Sequence, residues 1–175
     1  EKSGGIYIEY PVVSEKKAVL SIQTQVRSES NSDERVLISH EIKDADGNLA
    51  GNESNYMILK SGDVQNTEIE ISISAPKLWS TDNPELYYLK TSICLEGKLI
   101  DQKETRLGIR KIEVDREKGI LINGEVQPFL SGVNRHQDFP IIGNAAPASM
   151  QKRDAVLFKK AGFQVVRAAH YPMSE

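Results

Sequence analysis

The chain has 175 residues, 39% of them hydrophobic and 27% charged, and carries a formal net charge of −3. This composition is typical of a globular chain with enough apolar material for a core. No basic block is present, which argues against nucleic acid as a partner, and no apolar run approaches the ~18 residues that cross a bilayer. Cys94 is the only cysteine, so an internal disulfide is excluded. Because the sequence begins at Glu1 rather than Met, we expect that it belongs to a longer parent protein, whose cellular compartment it does not indicate.

The first ~115 residues alternate between apolar and polar side chains, as half-buried strands do. Two clear rows are Leu20, Ile22, Thr24 and Val26, and Ile69, Ile71 and Ile73. Turn signals separate the rows at residues 46–48 (DGN), 61–63 (SGD) and 96–98 (EGK). About seven short strands with this spacing predict an antiparallel β-sandwich.

After about residue 115 the pattern changes. Residues 119–127 predict a hairpin closed by a type I′ turn at Asn123-Gly124. The apolar run at 129–133 and the run at 163–168 predict strands buried on both faces, as in a parallel sheet. Between them, residues 149–161 predict a helix with Ser149 as N-cap and Gly162 as its stop. One such βαβ unit cannot close a sheet, so this half is predicted to open a larger structure.

Three further groups are predicted to be structural. His40 lies on the apolar face of a strand and is interpreted as a core histidine with a satisfied partner. Trp79 is expected to pack between strands rather than to stack on a sugar, because large aromatics fill sandwich cores. The charged residues at 113–118 are interpreted as a solvated connection between the halves.

Three segments, taken in order, resemble family 2 glycoside hydrolases. They are residues 76–87 (PKLWSTDNPELY), residues 107–113 (LGIRKIE) with 122–124 (ING), and residues 132–140 (GVNRHQDFP) with 167–172 (RAAHYP). The Asn-Arg-His and His-Tyr-Pro elements are most similar to β-galactosidases. The resemblance covers residues 70–175 strongly, whereas residues 1–70 match only as a generic sandwich.

The resemblance implies an immunoglobulin-like β-sandwich over residues 1–115 and, over 116–175, the truncated start of a (β/α)8 barrel, also called a TIM barrel. It implies a parent that hydrolyses terminal β-galactosides with retention, using two glutamates on later barrel strands beyond Glu175. No catalytic residue is therefore expected in this chain, and we expect the chain alone to be inactive. No cofactor is expected in it either, while a parent could hold magnesium near its acid/base glutamate. Expected partners are the β-galactoside substrate and the other domains of the same protein.

Four residues are predicted to bind substrate. His136 follows the first barrel strand and His170 the second, and barrel enzymes place their chemistry at the carboxyl ends of the strands. Neighbouring parallel strands would bring both imidazoles to one rim, where by resemblance they contact sugar hydroxyls. Arg167 ends the second strand, and the resemblance gives it the role of orienting a nucleophilic carboxylate. Asn134, like Arg135, is expected mainly to shape the rim.

Several alternatives remain open. A β-glucuronidase or β-mannosidase would share the architecture and differ in the groups that read the sugar. A carbohydrate-binding module would need an exposed aromatic platform, and most tyrosines are assigned here to core positions. A structural spacer describes residues 1–115 but not a second half patterned as a barrel. Many relatives carry an acid directly after the histidine, where this chain has Gln137, and Asp138 is interpreted as a loop residue.

The incomplete barrel would expose strand edges and apolar faces. Residues 119–175 are therefore predicted to be poorly ordered in isolation or to associate with a second copy of the chain.

Overall fold

The computed structural model describes residues 5–128 and 130–170. Its elements, in chain order, are β1 (Ile6–Val13), β2 (Lys17–Arg27), β3 (Glu34–Lys43), β4 (Leu49–Leu59), β5 (Val64–Ser74), β6 (Tyr87–Leu95), β7 (Lys98–Leu107), β8 (Ile112–Asp115), β9 (Gly119–Ile122), β10 (Glu125–Val126), β11 (Gly132–Arg135), α1 (Ala148–Lys160) and β12 (Val165–Ala168). They form two compact units, one ending at Val126 and the other beginning at Gln127. In the described part of the chain, no helix is both long and apolar enough to cross a membrane.

The first seven strands form the predicted antiparallel sandwich. One sheet has the order β1-β2-β5 and the other β4-β3-β6-β7. Alternate residues of each strand point into the space between the sheets, and the fully buried side chains come from both: Leu20, Ile22 and Ile71 from the first, Val36, Ile38, Ile42 and Leu89 from the second. The two-residue period seen in the sequence is therefore the period of core burial.

The predicted turns lie where the strands reverse. Gly47, Gly62 and Gly97 have φ values of 85°, 69° and 79°, a region that side chains with a Cβ rarely enter. At the tip between β6 and β7, Glu96 also has a positive φ of 49°, so both central residues adopt the I′ type of turn. These turns fix the register of the strands on either side.

Gly51 lies at a close approach between the two sheets. A Cβ built on Gly51 would lie 2.7 Å from Cγ2 of Ile71 and 3.4 Å from the Ser72 carbonyl oxygen. Ile71 is 1% exposed and belongs to β5, whereas Gly51 belongs to β4 in the opposite sheet. The absence of a side chain at position 51 lets β4 close one edge of the sandwich over β5.

His40 is a polar bridge between the sheets. Its side chain is 1% exposed, with Nδ1 3.0 Å from Oγ1 of Thr91 on β6 and Nε2 3.4 Å from Oγ1 of Thr24 on β2. Both hydroxyls can donate or accept, so a neutral imidazole finds a partner on each side. Burial lowers the pKa of His40 from 6.5 to about 4. The prediction of a core histidine with satisfied partners is correct.

A small sheet of order β10-β9-β8 follows the sandwich. Its hairpin turns at Asn123 and Gly124, whose φ values of 54° and 84° confirm the predicted type I′ turn. The prediction of a solvated connection at 113–118 was wrong in part, because residues 112–115 pair with β9 as a third strand. Only the turn after Asp115 has the solvated, non-strand character that was predicted. In this turn the Asp115 carboxylate accepts the backbone N–H groups of Glu117 and Lys118 at 2.8 Å each. The predicted boundary at 115/116 falls inside this sheet, and the division between the two domains stays a prediction.

Trp79 joins the small sheet to the sandwich. Its backbone N–H donates to the Ile109 carbonyl at 2.9 Å, and its carbonyl accepts Nδ2–H of Asn123 at 3.0 Å. The indole lies against Gly108, where a Cβ would come within 2.9 Å of the ring, and the Arg110 guanidinium covers it at 4.7 Å. Trp79 thus has the packing role predicted for it.

The second unit is a βαβ unit with a two-stranded parallel sheet of β11 and β12. Helix α1 begins at Ala148 with Pro147 at the N-cap position, so the prediction of Ser149 as N-cap was wrong. Ser149 lies inside the first turn. The proline ring fixes φ at −66° at Pro147, which suits the start of a helix, and the Pro147 carbonyl accepts the N–H of Met150 at 2.9 Å. The helix ends at Lys160, and Gly162 follows with a φ of 84°, as predicted.

The two parallel strands are shorter and more exposed than the sequence indicates. β11 begins at Gly132, and Phe129 of the predicted run lies outside the described residues. Both valines of β12 are exposed, Val165 at 41% and Val166 at 43%, although the apolar run predicts burial on both faces. Side chains that are suited to a doubly covered strand thus lie uncovered in this chain.

Replacing Gly51 by alanine is expected to destabilise the sandwich by about 1–3 kcal/mol, because the new methyl group overlaps Ile71 Cγ2. The measurement is the free energy of unfolding in urea, repeated in an Ile71→Leu background, where the side chain no longer branches at Cβ. The cost of Gly51→Ala should be smaller in that background. Equal costs in the two backgrounds would contradict the close contact.

The stability of the sandwich should fall as the pH drops from about 6.5 to about 4. In this window the unfolded chain binds a proton at His40 and the folded chain does not, so the contribution is complete above pH 6.5 and is lost progressively below it. The full loss corresponds to about 3 kcal/mol. His40→Asn keeps a polar group near Thr91 and removes the titration, so the difference in urea stability between the two proteins should shrink on acidification. Parallel pH profiles would show that folding does not lower the pKa of His40.

Candidate functional site

Two imidazoles meet at one end of the parallel strand pair. His136 directly follows β11, and His170 lies two residues after β12. Their ring centroids are 5.3 Å apart, with the planes inclined at 70° in an edge-to-face arrangement. Both side chains are exposed. The structure thus brings together the two histidines that the sequence placed on one rim.

The register of the parallel pair sorts the neighbouring side chains onto two faces. Asn134 lies beside Arg167, and Arg135 beside Ala168. Since side chains of adjacent paired residues point to the same side of a sheet, Asn134 and Arg167 share one face and Arg135 takes the other. Arg135 contacts α1, so the face of Asn134 and Arg167 is the one that the helix leaves open. In a barrel with its helices outside, this is the inner face.

Arg167 is a cation for which the described part of the chain offers no anionic partner. Its side chain is exposed, and within residues 5–128 and 130–170 it has no hydrogen-bond or ion-pair partner. An unpaired guanidinium on an open face is well suited to hold a carboxylate or another anion.

Arg135, by contrast, is 9% exposed and is paired with Asp154 of α1. Its Nε donates to Oδ2 of Asp154 at 2.9 Å. Nη2 lies 2.8 Å from the same oxygen, outside hydrogen-bond geometry, and adds charge attraction. Arg135 therefore belongs to the framework that joins β11 to α1, and its role in shaping the rim stays a prediction.

The spacing of side chains on α1 and the alternation of β11 indicate this ion pair in the sequence. Met150, Asp154, Phe158 and Ala161 are spaced so that they share one side of the helix. A carboxylate in the middle of an apolar stripe needs a buried partner. The alternation of β11 places Arg135 on the helix side, where it supplies that partner.

The loop between β11 and α1 forms a small closed turn beyond His136. Phe139 and Gly143 exchange backbone hydrogen bonds of 3.1 Å and 2.8 Å. Asp138 and Ile141 are exposed on this loop, which agrees with the interpretation of Asp138 as a loop residue. Among the described residues no three His, Cys, Asp or Glu side chains lie together as metal ligands.

Tyr7 and Tyr56, two exposed tyrosines of the described residues, do not form a sugar-stacking platform with each other. Tyr7 is 52% exposed and Tyr56 55% exposed, so the assignment of most tyrosines to core positions holds for Tyr87 but not for these two. Tyr7 lies on the outer side of the β1-β2-β5 sheet and Tyr56 on the outer side of the other sheet. The two rings therefore cannot bind one saccharide chain together.

Fold and site together define a class: an immunoglobulin-like sandwich followed by the first βαβ unit of a (β/α)8 barrel, with polar side chains at the carboxyl ends of the strands. Comparison with known proteins agrees with this assignment. The family described as "Glycosyl hydrolases family 2" matches residues 5–110, and "Glycosyl hydrolases family 2, TIM barrel domain" matches residues 112–175. The chain belongs to glycosyl hydrolase family 2.

Among its relatives are a β-galactosidase of Bacteroides ovatus, 29% identical over 96% of this chain and 20% of that protein, and a β-glucuronidase of Bacteroides fragilis, 30% identical over 98% of this chain and 24% of that protein. A solved structure of a family 2 glycosyl hydrolase from Bacteroides cellulosilyticus superposes with a TM-score of 0.90 at 27% identity, covering 98% of this chain and 23% of that one. The chain thus spans between a fifth and a quarter of the length of these relatives.

Because Arg167 has no partner among the described residues, its replacement by glutamine is expected to change the free energy of unfolding of the βαβ unit by no more than about 0.5 kcal/mol. Arg135→Gln is the matched comparison and should cost more than about 1 kcal/mol, because it leaves Asp154 without its cation. Amide hydrogen exchange of β11 and β12 measures both. A large loss with Arg167→Gln would reveal a structural partner.

Proposed function

We propose that this chain is the sandwich-to-barrel segment of a retaining glycoside hydrolase that acts on terminal β-galactosides. In this proposal the chain supplies substrate-binding side chains and the frame that holds them. It does not supply the two catalytic carboxylates. The observation that carries the proposal is the pair of exposed imidazoles, 5.3 Å apart, at the carboxyl ends of β11 and β12.

The imidazole pair has the chemistry to recognise a sugar. Each neutral ring offers one N–H donor and one acceptor nitrogen, which match the hydroxyl groups of a pyranose. Hydrogen bonds that strengthen as the ring flattens toward an oxocarbenium ion would accelerate cleavage rather than merely tighten binding. Exposure of both rings leaves them free to make such bonds.

Arg167 and Asn134 complete the proposed subsite from the open face of the strands. A guanidinium there would keep a neighbouring carboxylate ionised and would fix its direction, as a nucleophile requires. Asn134 lies directly beside Arg167 in the strand register and offers an amide within the same region.

The cleavage step itself needs groups that we place outside this chain. A retaining mechanism uses one carboxyl group as acid and base and a second as nucleophile, about 5–5.5 Å apart. The family resemblance assigns both to later strands of the barrel. We therefore propose that the isolated chain does not hydrolyse glycosides and that residues of the sandwich serve to support the barrel.

A β-glucuronidase is the second candidate. A relative named β-glucuronidase is 30% identical over 98% of this chain, close to the 29% over 96% of the β-galactosidase relative. Gln137, directly after His136, is neutral where many relatives carry an acid. The repulsion between the rim and the carboxylate of a glucuronide would be weaker for that reason.

The exposed faces of the βαβ unit fit the proposal of a longer protein. Val165 and Val166 point to opposite sides of β12, and both are more than 40% exposed. Further barrel strands and their helices would cover both sides. In their absence, we propose that these faces promote association between copies of the chain.

The test compares this chain with the complete open reading frame that encodes it, on nitrophenyl β-galactoside, β-glucuronide and β-mannoside. We expect the chain to stay at background and the longer protein to prefer the galactoside. In the longer protein, His136→Gln and His170→Gln should each lower kcat/KM by about 10- to 100-fold, the value of one or two lost hydrogen bonds. Lys152→Gln on the exposed side of α1 is the control and should leave kcat/KM unchanged.

Three results would count against the proposal. Hydrolysis by the chain alone would show that it contains its own catalytic groups. Preference for the glucuronide would favour the second candidate. Full activity in both histidine variants would remove the substrate-binding role from the imidazole pair.

A further inference from the structure

We propose that the ion pair between Arg135 and Asp154 positions the two histidines, so that Arg135 and Asp154 are positioning residues for the rim. The inference deepens the proposed function and rests on it for its biological meaning. Its physical content, however, concerns the geometry of this chain alone.

Arg135 connects three parts of the βαβ unit at once. Its guanidinium binds Asp154 in the second turn of α1 and lies 5.9 Å from the centre of the Phe139 ring in the loop. Its carbonyl oxygen accepts the backbone N–H of Ala169 at 3.1 Å. Helix, loop and neighbouring strand therefore meet at one residue.

Arg135 can influence the two histidines because of its position in the chain. Arg135 immediately precedes His136, and Ala169 immediately precedes His170. The hydrogen bond from Ala169 to Arg135 is thus the last backbone link before both imidazoles. The side chain of Arg135 fixes the end of β11 against α1. The backbone hydrogen bond from Ala169 then fixes the end of β12, and with it His170, relative to β11.

The ion pair also selects the register of β11. A shift of one residue would move Arg135 to the open face and Asn134 to the helix face. Arg135 would then lose Asp154, and a charged carboxylate would remain against the sheet without its cation. The correct register is the one that places Asn134 beside Arg167 and both histidines at the same level.

Stability alone does not account for this arrangement. Removing two charges from water costs several kcal/mol, and an apolar pair of similar size often stabilises a protein as well or better. Here the guanidinium uses only one carboxylate oxygen, and Nη1 has no hydrogen-bond partner among the described residues. The pair is therefore poorly optimised for stability, whereas its directional contacts specify one geometry.

The chain offers a matched control at the opposite end of the same strands. Ser131 and Gln164 lie before β11 and β12, where Oγ and the backbone N–H of Ser131 donate to Oε1 of Gln164 at 2.8 Å and 3.0 Å. This contact also joins the two strands through polar groups. The lengths of β11 and β12 separate it from both histidines, so its loss should loosen the unit without moving the rim.

The experiment is NMR on the 175-residue chain, with the ring-to-ring nuclear Overhauser contact between His136 and His170 as readout. The chain has three histidines, and His40 is buried in the sandwich, which makes the assignment simple. The variants are Arg135→Lys, Asp154→Asn and the control Ser131→Ala. Amide hydrogen exchange of β11 and β12 verifies in each variant that the strands remain paired.

We expect the ring contact in the unchanged chain and in Ser131→Ala, and its loss in Arg135→Lys and Asp154→Asn with the strands still paired. A contact that persists in both of those variants would overturn the proposal, as would its absence from the unchanged chain. Equal loss in Ser131→Ala, or melting of the strands in both ion-pair variants, would assign the pair to general stability instead.

A second readout applies when the longer protein is active. Asp154→Asn should lower kcat by about 10- to 100-fold, the scale of a misplacement near 1 Å, with little change in KM, whereas Ser131→Ala should leave both unchanged. The NMR result needs no catalysis. Failure of the proposed function would therefore leave the geometric test intact, and failure of the geometric test would leave the substrate assignment untouched.

Discussion

The parallel pairing of β11 with β12 is the constraint on which the site depends. Antiparallel strands would place the residues after them at opposite ends of the sheet, so His136 and His170 could not meet. Parallel strands put both chain exits on one rim, and the crossover through α1 is what allows two consecutive strands to run in the same direction. The same register that joins Asn134 to Arg167 separates them from Arg135. One set of backbone hydrogen bonds therefore decides which side chains can act together.

The sandwich works on a different principle. Its two sheets are held together by the aliphatic side chains between them. Some positions in this interface do not carry aliphatic side chains. Gly51 is an exception in size, and His40 is an exception in polarity. Both occur where a strand of one sheet meets a strand of the other, so each reports on the spacing of the sheets rather than on chemistry. The Trp79 contacts then extend this frame to β8–β10 within the same unit.

Much of this arrangement could be predicted from the sequence, because the strongest signals are local. The two-residue period of β2 and β5, the Asn123-Gly124 turn and the helix stop at Gly162 each follow from a few neighbouring residues. The start of α1 was misplaced because a serine is a common N-cap and the proline before it was overlooked. Strand β8 was missed because its charged residues resemble a linker, and only pairing with β9 makes it a strand.

The candidate site shows the same division. The adjacency of His136 and His170 followed from strand order and direction, which the sequence pattern reveals. The partnership of Arg135 with Asp154 was missed, although the spacing of Asp154 with Met150 and Phe158 places its carboxylate on the apolar side of α1. The apolar character of β12 was correctly recognised, but its exposure was not. The sequence shows that β12 is suited to burial on both faces. Only the structure shows that the described part of the chain leaves its valines exposed.

The uncovered valines of β12 also bear on how a longer protein would be synthesised. The antiparallel sandwich contains all of its own partners within β1–β7, so it can fold as soon as that stretch has left the ribosome. Strands β11 and β12 pair in parallel and would wait for every later strand of a closing barrel, at ~5–20 residues per second. During that interval Val165 and Val166 would be available to chaperones.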